Sequence, residues 1–173
     1  MAQTPREAAD DAVLTRIGQA VMLHRGGDRE EARNRFGGLW AEIGEDGDPL
    51  HRCTLAHYMA DTQDDPAAEL RWDLLALAAA EGRGPGHRDG RALRSFYPEL
   101  HLNLAADYLK LGRLDAARAQ LRRARVSAGV LGDDPHSHRV RAAIGRLARR
   151  LDRAGGGAGA PPGAGGEATG SPD

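Results

Sequence analysis

Apolar residues recur in steps of three and four along most of this chain, and turn-forming residues cut the pattern into about seven amphipathic helices. The first is predicted from Pro5 to His24, with Val13, Leu14, Ile17, Val21 and Leu23 apolar and Gly26-Gly27 as its end. Asp28 caps a second helix and pairs with Glu31 as a capping box; its stripe is Ala32, Phe36, Leu39, Trp40 and Ile43. Gly37-Gly38 inside that helix costs roughly 2 kcal/mol of propensity relative to alanine, which points to a close helix–helix approach or a local kink. Asp48-Pro49 and Asp65-Pro66 each place a capping carboxylate before a proline at the first helical position. The third helix then buries Leu50, Leu55, Ala56 and Met59, and the fourth Ala68, Trp72, Leu75 and a run of alanines to Ala80.

Glu81 to Arg94 is rich in Gly and Pro, so its first half reads as a loop, and Leu93 to Tyr97 extend the next helix ahead of Pro98. The clearest stretch follows. Leu100, Leu104, Tyr108 and Leu111 form one stripe, Gly112 permits a tight reversal, and Leu114, Ala117, Leu121 and Ala124 form a second. After a break at Gly132 to Pro135, a last helix from about His136 to Arg153 aligns Val140, Ile144, Leu147 and Leu151. Residues 154–173 are Gly, Ala, Pro and Ser with hardly a large apolar side chain, and are expected to be a disordered tail.

The stretch Leu104-Ala105-x2-Tyr108, Gly112, Ala117-x3-Leu121-x2-Ala124 resembles a tetratricopeptide repeat (TPR), a helix–turn–helix unit of 34 residues. His101 stands where that family prefers Trp, Ala105 where it prefers Gly and Leu121 where it prefers Phe. Gly27-Asp28-x3-Ala32-x3-Phe36 matches a second half-repeat. Leu55-Ala56-x2-Met59 with Ala68-x3-Trp72-x2-Leu75 matches a further repeat. The anchor alanines Ala32, Ala68 and Ala117 lie 36 and 49 residues apart, and the long interval holds the Gly/Pro loop. The resemblance implies an all-α, right-handed solenoid of about three antiparallel helix pairs over residues 5–153, closed by a C-terminal capping helix. It also implies a non-catalytic scaffold or adaptor that takes a peptide or partner helix in a concave face.

Positions matching the family's inner face are Cys53, Thr54, His57 and Asp61, then Leu102, Asn103, Ala106, Leu109 and Lys110. Leu102, Ala106 and Leu109 make an apolar strip with Asn103 and Lys110 beside it, suited to apolar anchors with polar ends. Two other readings stand beside the groove: Leu102 and Leu109 pack against the capping helix or the N-terminal helix, or they are buried between copies of the chain. Some TPR domains grip a terminal carboxylate with Lys, Arg and Asn; only Asn103 and Lys110 match that set.

Composition narrows the alternatives. A net charge of −1 gives no global pull toward nucleic acid or membrane, and no apolar run approaches the ~20 residues needed to span a bilayer. The start of the chain has acidic residues where a signal peptide would be basic, and the single cysteine, Cys53, suits a reducing compartment. A cytoplasmic location is expected. Lys110 is the only lysine, an arginine bias that points to a GC-rich bacterial genome.

No nucleophile elbow or phosphate-binding glycine loop is present in the sequence, so the expectation is that the chain is not an enzyme and holds no cofactor. His51, Cys53 and His57 cluster at one helix start, yet a structural zinc site needs four ligands, so they read as a buried thiol beside a surface histidine. His136 and His138 diverge on their helix. Residues 113–153, by contrast, hold eleven Arg against four Asp, a net +7. That excess is either solubilising or an alternative surface for nucleic acid or another anionic partner. If the repeat register is right, Ala117→Leu overpacks a helix–helix contact and lowers stability by ~1–3 kcal/mol. A melting temperature unchanged by that substitution would count against the register.

Overall fold

The computed structural model describes residues 5–82 and 90–156. Among these the chain is all-helical. The helices are α1 (Pro5–Arg25), α2 (Arg29–Ile43), α3 (Pro49–Asp61), α4 (Pro66–Glu81), α5 (Gly90–Lys110), α6 (Leu114–Ser127) and α7 (Pro135–Gly156). A single 3-10 turn, Ala128–Val130, follows α6.

Aspartates cap the starts of α2, α3, α4 and α7, whereas α6 starts after Arg113 without a side-chain cap. Asp48 accepts from the Leu50 and His51 amides at 2.9 and 3.2 Å, and Asp65 from those of Ala67 and Ala68 at 3.3 and 3.0 Å. Asp134 takes the His136 and Ser137 amides at 2.9 and 3.0 Å, and each of these three acids precedes a proline that has no amide to lose. Glycines at positive φ end α1, α2 and α5, at Gly27, Gly44 and Gly112. Gly27 and Gly112 sit at φ +93° and +71°. In each turn the next residue's amide reaches back to close the helix, Asp28 to the Leu23 carbonyl at 3.0 Å and Arg113 to that of Tyr108 at 2.8 Å.

Three apolar clusters fill the interior. The first joins α1 and α2 to Leu55 and Met59 of α3. The second joins Cys53 and Ala56 of α3 to Leu70, Ala76, Leu77 and Ala80 of α4 and Leu93, Leu100 and Leu104 of α5. The third joins Ala105 of α5 to Ala117, Leu121 and Ala124 of α6 and Val140, Ile144, Leu147 and Leu151 of α7. Consecutive helices pack together, and each odd-numbered helix also touches the next odd-numbered one.

Several expectations need correction. In α4 the buried side is Leu70, Asp73, Ala76, Leu77 and Ala80, whereas Leu75 is exposed and Ala68 and Trp72 are only half-buried. The run LLALAAA is apolar around the whole helix, so periodicity alone does not choose a face, and contact with α3 and α5 does. Leu14 and Leu111 are likewise exposed. Helix α5 continues through Pro98, which is fully buried. Phe96 and Tyr97 pack on the second cluster and the Tyr97 hydroxyl donates to the Ala80 carbonyl at 3.2 Å, contacts that offset the roughly 3 kcal/mol a mid-helix proline costs. Helix α7 runs to Gly156, past the expected limit at 153; the rest of the expected tail, 157–173, and the loop at 83–89 lie outside the described residues.

The Gly37-Gly38 pair is explained in part. A methyl group on Gly37 would meet the Met59 Cε at 3.7 Å, an ordinary contact, while one on exposed Gly38 would meet nothing within 4 Å. Gly38→Ala is therefore expected to stabilise the fold by about 1 kcal/mol, seen as a higher melting temperature. A lower one would show that α2 needs the glycine for its backbone.

Candidate functional site

A cleft of about 1170 Å³ opens on the side of the molecule formed by the odd-numbered helices. His24 and Arg25 close one end, where α1 stops. His57, Tyr58 and Asp61 of α3 and Arg94, Ser95, Phe96 and Glu99 of α5 line it further. Val130, Leu131, Gly132 and Asp134, with His136, Ser137 and Arg139 at the start of α7, complete the wall. Among the described residues no lining group comes from α2, α4 or α6.

Local contacts fix this lining. Tyr58 stacks on Phe36 with ring centroids 5.9 Å apart, and the His57 ring meets Tyr58 edge-on at 5.1 Å. His136 Nε2 lies 3.5 Å from Glu99, which ties the start of α7 to α5. Asp134 is occupied as a cap, accepting also from the Ser137 hydroxyl at 2.5 Å.

Behind His57 lies a buried polar chain. The Asn103 side-chain amide donates to His57 Nδ1 at 3.2 Å and also to the Asp73 carboxyl. Asp73 Oδ1 is 4.0 Å from His57 Nδ1. Asp73 hydrogen-bonds to Asp107, and Lys110 Nζ lies 3.3 Å from Asp107 Oδ1 and 2.5 Å from Glu69. Both aspartates are 1% exposed, and Asp73 Oδ1 and Asp107 Oδ2 find no donor. Two carboxylates cannot hydrogen-bond without a proton between them, so the pair holds one. Burial, then the charge and hydrogen bond of Asp107, push Asp73 up to about 9. Burial also raises Asp107, to about 6, against the opposing pull of the Asp73 hydrogen bond and Lys110. Burial thus raises both acids as a pair, with Lys110 steadying the Asp107 side.

The residues expected on the inner face are divided by the structure. His57 and Asp61 line the cleft, whereas Asn103 and Lys110 belong to the buried chain beneath it. Thr54 is half-buried and donates to the Leu50 carbonyl at 2.7 Å. Leu102, Ala106 and Leu109 are half-buried and pack against the third cluster, because α7 folds back onto that flank of α5. Cys53 and His51 are both buried, and burial lifts the Cys53 thiol to about 12, far from thiolate chemistry. Among the described residues no group of three or more His, Cys, Asp or Glu is placed to hold a metal ion, and no helix is long and apolar enough to cross a membrane.

Sequence reasoning missed Asp73 and Asp107. The available signal was their spacing: Asp73 stands three residues after Leu70 and four before Leu77, and Asp107 three after Leu104, all on buried stripes.

No protein-family model, curated protein or solved structure matches the chain. The reading of the site therefore rests on its geometry.

The acid pair makes stability depend on pH. Both folded-state values are raised above the ordinary carboxylate range near 3.9, so the contribution is complete below about 4 and is lost as pH rises toward about 9. The pairs that hold Glu42 and Asp64 below their ordinary values are at full strength across this range and are lost only in more acidic solution. Melting temperature is expected to fall between about pH 5 and about pH 9. Asp73→Asn, which mimics the protonated acid, should flatten that fall and exceed the wild type at the alkaline end by roughly 1–3 kcal/mol. A wild-type melting point constant across the range would contradict the shared proton.

Proposed function

We propose that this chain is a non-catalytic interaction scaffold, a TPR-like right-handed solenoid of helix pairs, that holds an extended peptide segment in the cleft. The observation that carries the reading is the cleft's lining, drawn from α1, α3, α5, the start of α7 and the segment leading to it. One helix of each pair faces the ligand and its partner supports it from behind, the division of labour expected of stacked helical hairpins. Apolar clusters shared through α3 and α5 support the same reading. The ligand contacts are His57 and Asp61 from the expected set, joined by Tyr58, Ser95, Phe96 and Glu99. The half-buried strip Leu102, Ala106 and Leu109 serves the third cluster.

Ser95 is exposed on α5 within the lining, so Ser95→Trp fills the cleft without entering a cluster. Peptides selected from a random display library on the full chain are expected to lose binding to this variant, while its helical content and cooperative thermal transition show that it is folded. Retained binding by a folded Ser95→Trp protein would overturn the cleft as the site.

A further inference from the structure

Most arginines of α7 are placed differently from several of those nearer the N-terminus. Toward the N-terminus Arg16, Arg29, Arg33 and Arg35 each meet a carboxylate at 2.7–2.9 Å. Nearer the C-terminus Arg118 pairs with Asp115 at 3.3 Å, Arg141 donates to the Leu131 and Gly132 carbonyls at 2.7 and 3.1 Å, and Arg113 lies over the Tyr108 ring. The arginines that remain on α7 are Arg139, Arg146, Arg149, Arg150 and Arg153, all exposed and without an ion-pair partner among the described residues.

Their spacing is ordered. Steps of seven, four and three residues place Arg139, Arg146, Arg150 and Arg153 along one flank of α7, beside the buried stripe of Val140, Ile144, Leu147 and Leu151. Arg139 also lines the cleft, so the row begins inside it and leads out along the helix. Fourteen residues of α-helix give the row a length of about 21 Å, which an extended chain of about six residues would cover.

We propose that this row binds an acidic polypeptide segment whose run of carboxylates lies along α7 while its adjoining residues occupy the cleft. The inference rests on the reading of the cleft as a peptide site. Guanidinium groups match carboxylates with two parallel hydrogen bonds, and here no internal acid competes for them. A single file of charges on one helix, leading out of a cleft, fits a peptide chain better than a duplex. The chain also has no aromatic residue after Tyr108 on which single-stranded bases could stack.

The test uses the full chain and three labelled probes: decaglutamate, decaglutamine and a short DNA duplex, each at about 150 mM salt. The variant Arg146→Ala/Arg150→Ala/Arg153→Ala removes the row outside the cleft. Arg122→Ala/Arg123→Ala/Arg125→Ala removes the same charge from exposed positions of α6. Decaglutamate is expected to bind and decaglutamine not. The α7 variant should weaken decaglutamate about tenfold or more and the α6 variant less than about twofold. Equal loss in both variants, absence of decaglutamate binding, or tighter binding of the duplex would each overturn the proposal. If it fails while library-selected neutral peptides still bind and are blocked by Ser95→Trp, the acidic partner falls and the cleft stands. If Ser95→Trp blocks nothing, the cleft itself is wrong.

Discussion

A short helix pair has one apolar side too many, and the packing of this chain follows from how that side is covered. Leu55 and Met59 of α3 close the first cluster, while Cys53 and Ala56 of the same helix open the second. On α5, Leu100 and Leu104 close the second cluster and neighbouring Ala105 begins the third. Neither α3 nor α5 can leave without exposing two cores, so stability is shared between neighbours along the row. Helix α7 ends this row among the described residues, with one buried stripe and arginines elsewhere.

The middle cluster differs from the other two because it contains acid. Replacing Asp73 and Asp107 by apolar residues of similar volume would ordinarily be neutral or stabilising, since burying carboxyls is costly even when they are paired. The pair instead makes the contact between α4 and α5 depend on one proton, and Asn103 extends that dependence to His57 on the wall of the cleft. Lys110 and Glu69 close the outer end of the chain. The support of the cleft and its surface are therefore one polar network, anchored on three helices.

Much of the fold was legible in the sequence because its strongest signals are local. An Asp-Pro pair starts α3, α4 and α7, and the glycines at 27 and 112 end α1 and α5; caps and turns of this kind need no tertiary partner. The stripe of α7 was equally plain, since Val140, Ile144, Leu147 and Leu151 are separated by charged or small residues. Legibility failed where several faces are apolar. In α4 the alanine–leucine run allows more than one burial face, and the choice falls to the neighbours on either side. The acid pair was invisible for the opposite reason. A reading that collects apolar residues at helical spacing passes over an aspartate on the same stripe, although a carboxylate there is the more informative residue. The cleft was only half legible: His57 and Asp61 were placed on it, but the contributions of α1 and of the segment before α7 depend on how distant helices meet.

Charge placement bears on why α7 should be more than a cover. A terminal helix needs a polar outer surface, and mixed Glu and Arg would supply one while keeping the surface neutral. The N-terminal helices do this, with Arg16 on Glu42 and Arg35 on Glu31. Helix α7 has Asp152 as its one carboxylate side chain, far too little to balance its arginines. Unbalanced like charges along one helix repel and lower its stability at low salt. A row that costs the helix stability and begins at the wall of a cleft fits a surface completed by an anionic partner better than one serving solubility alone.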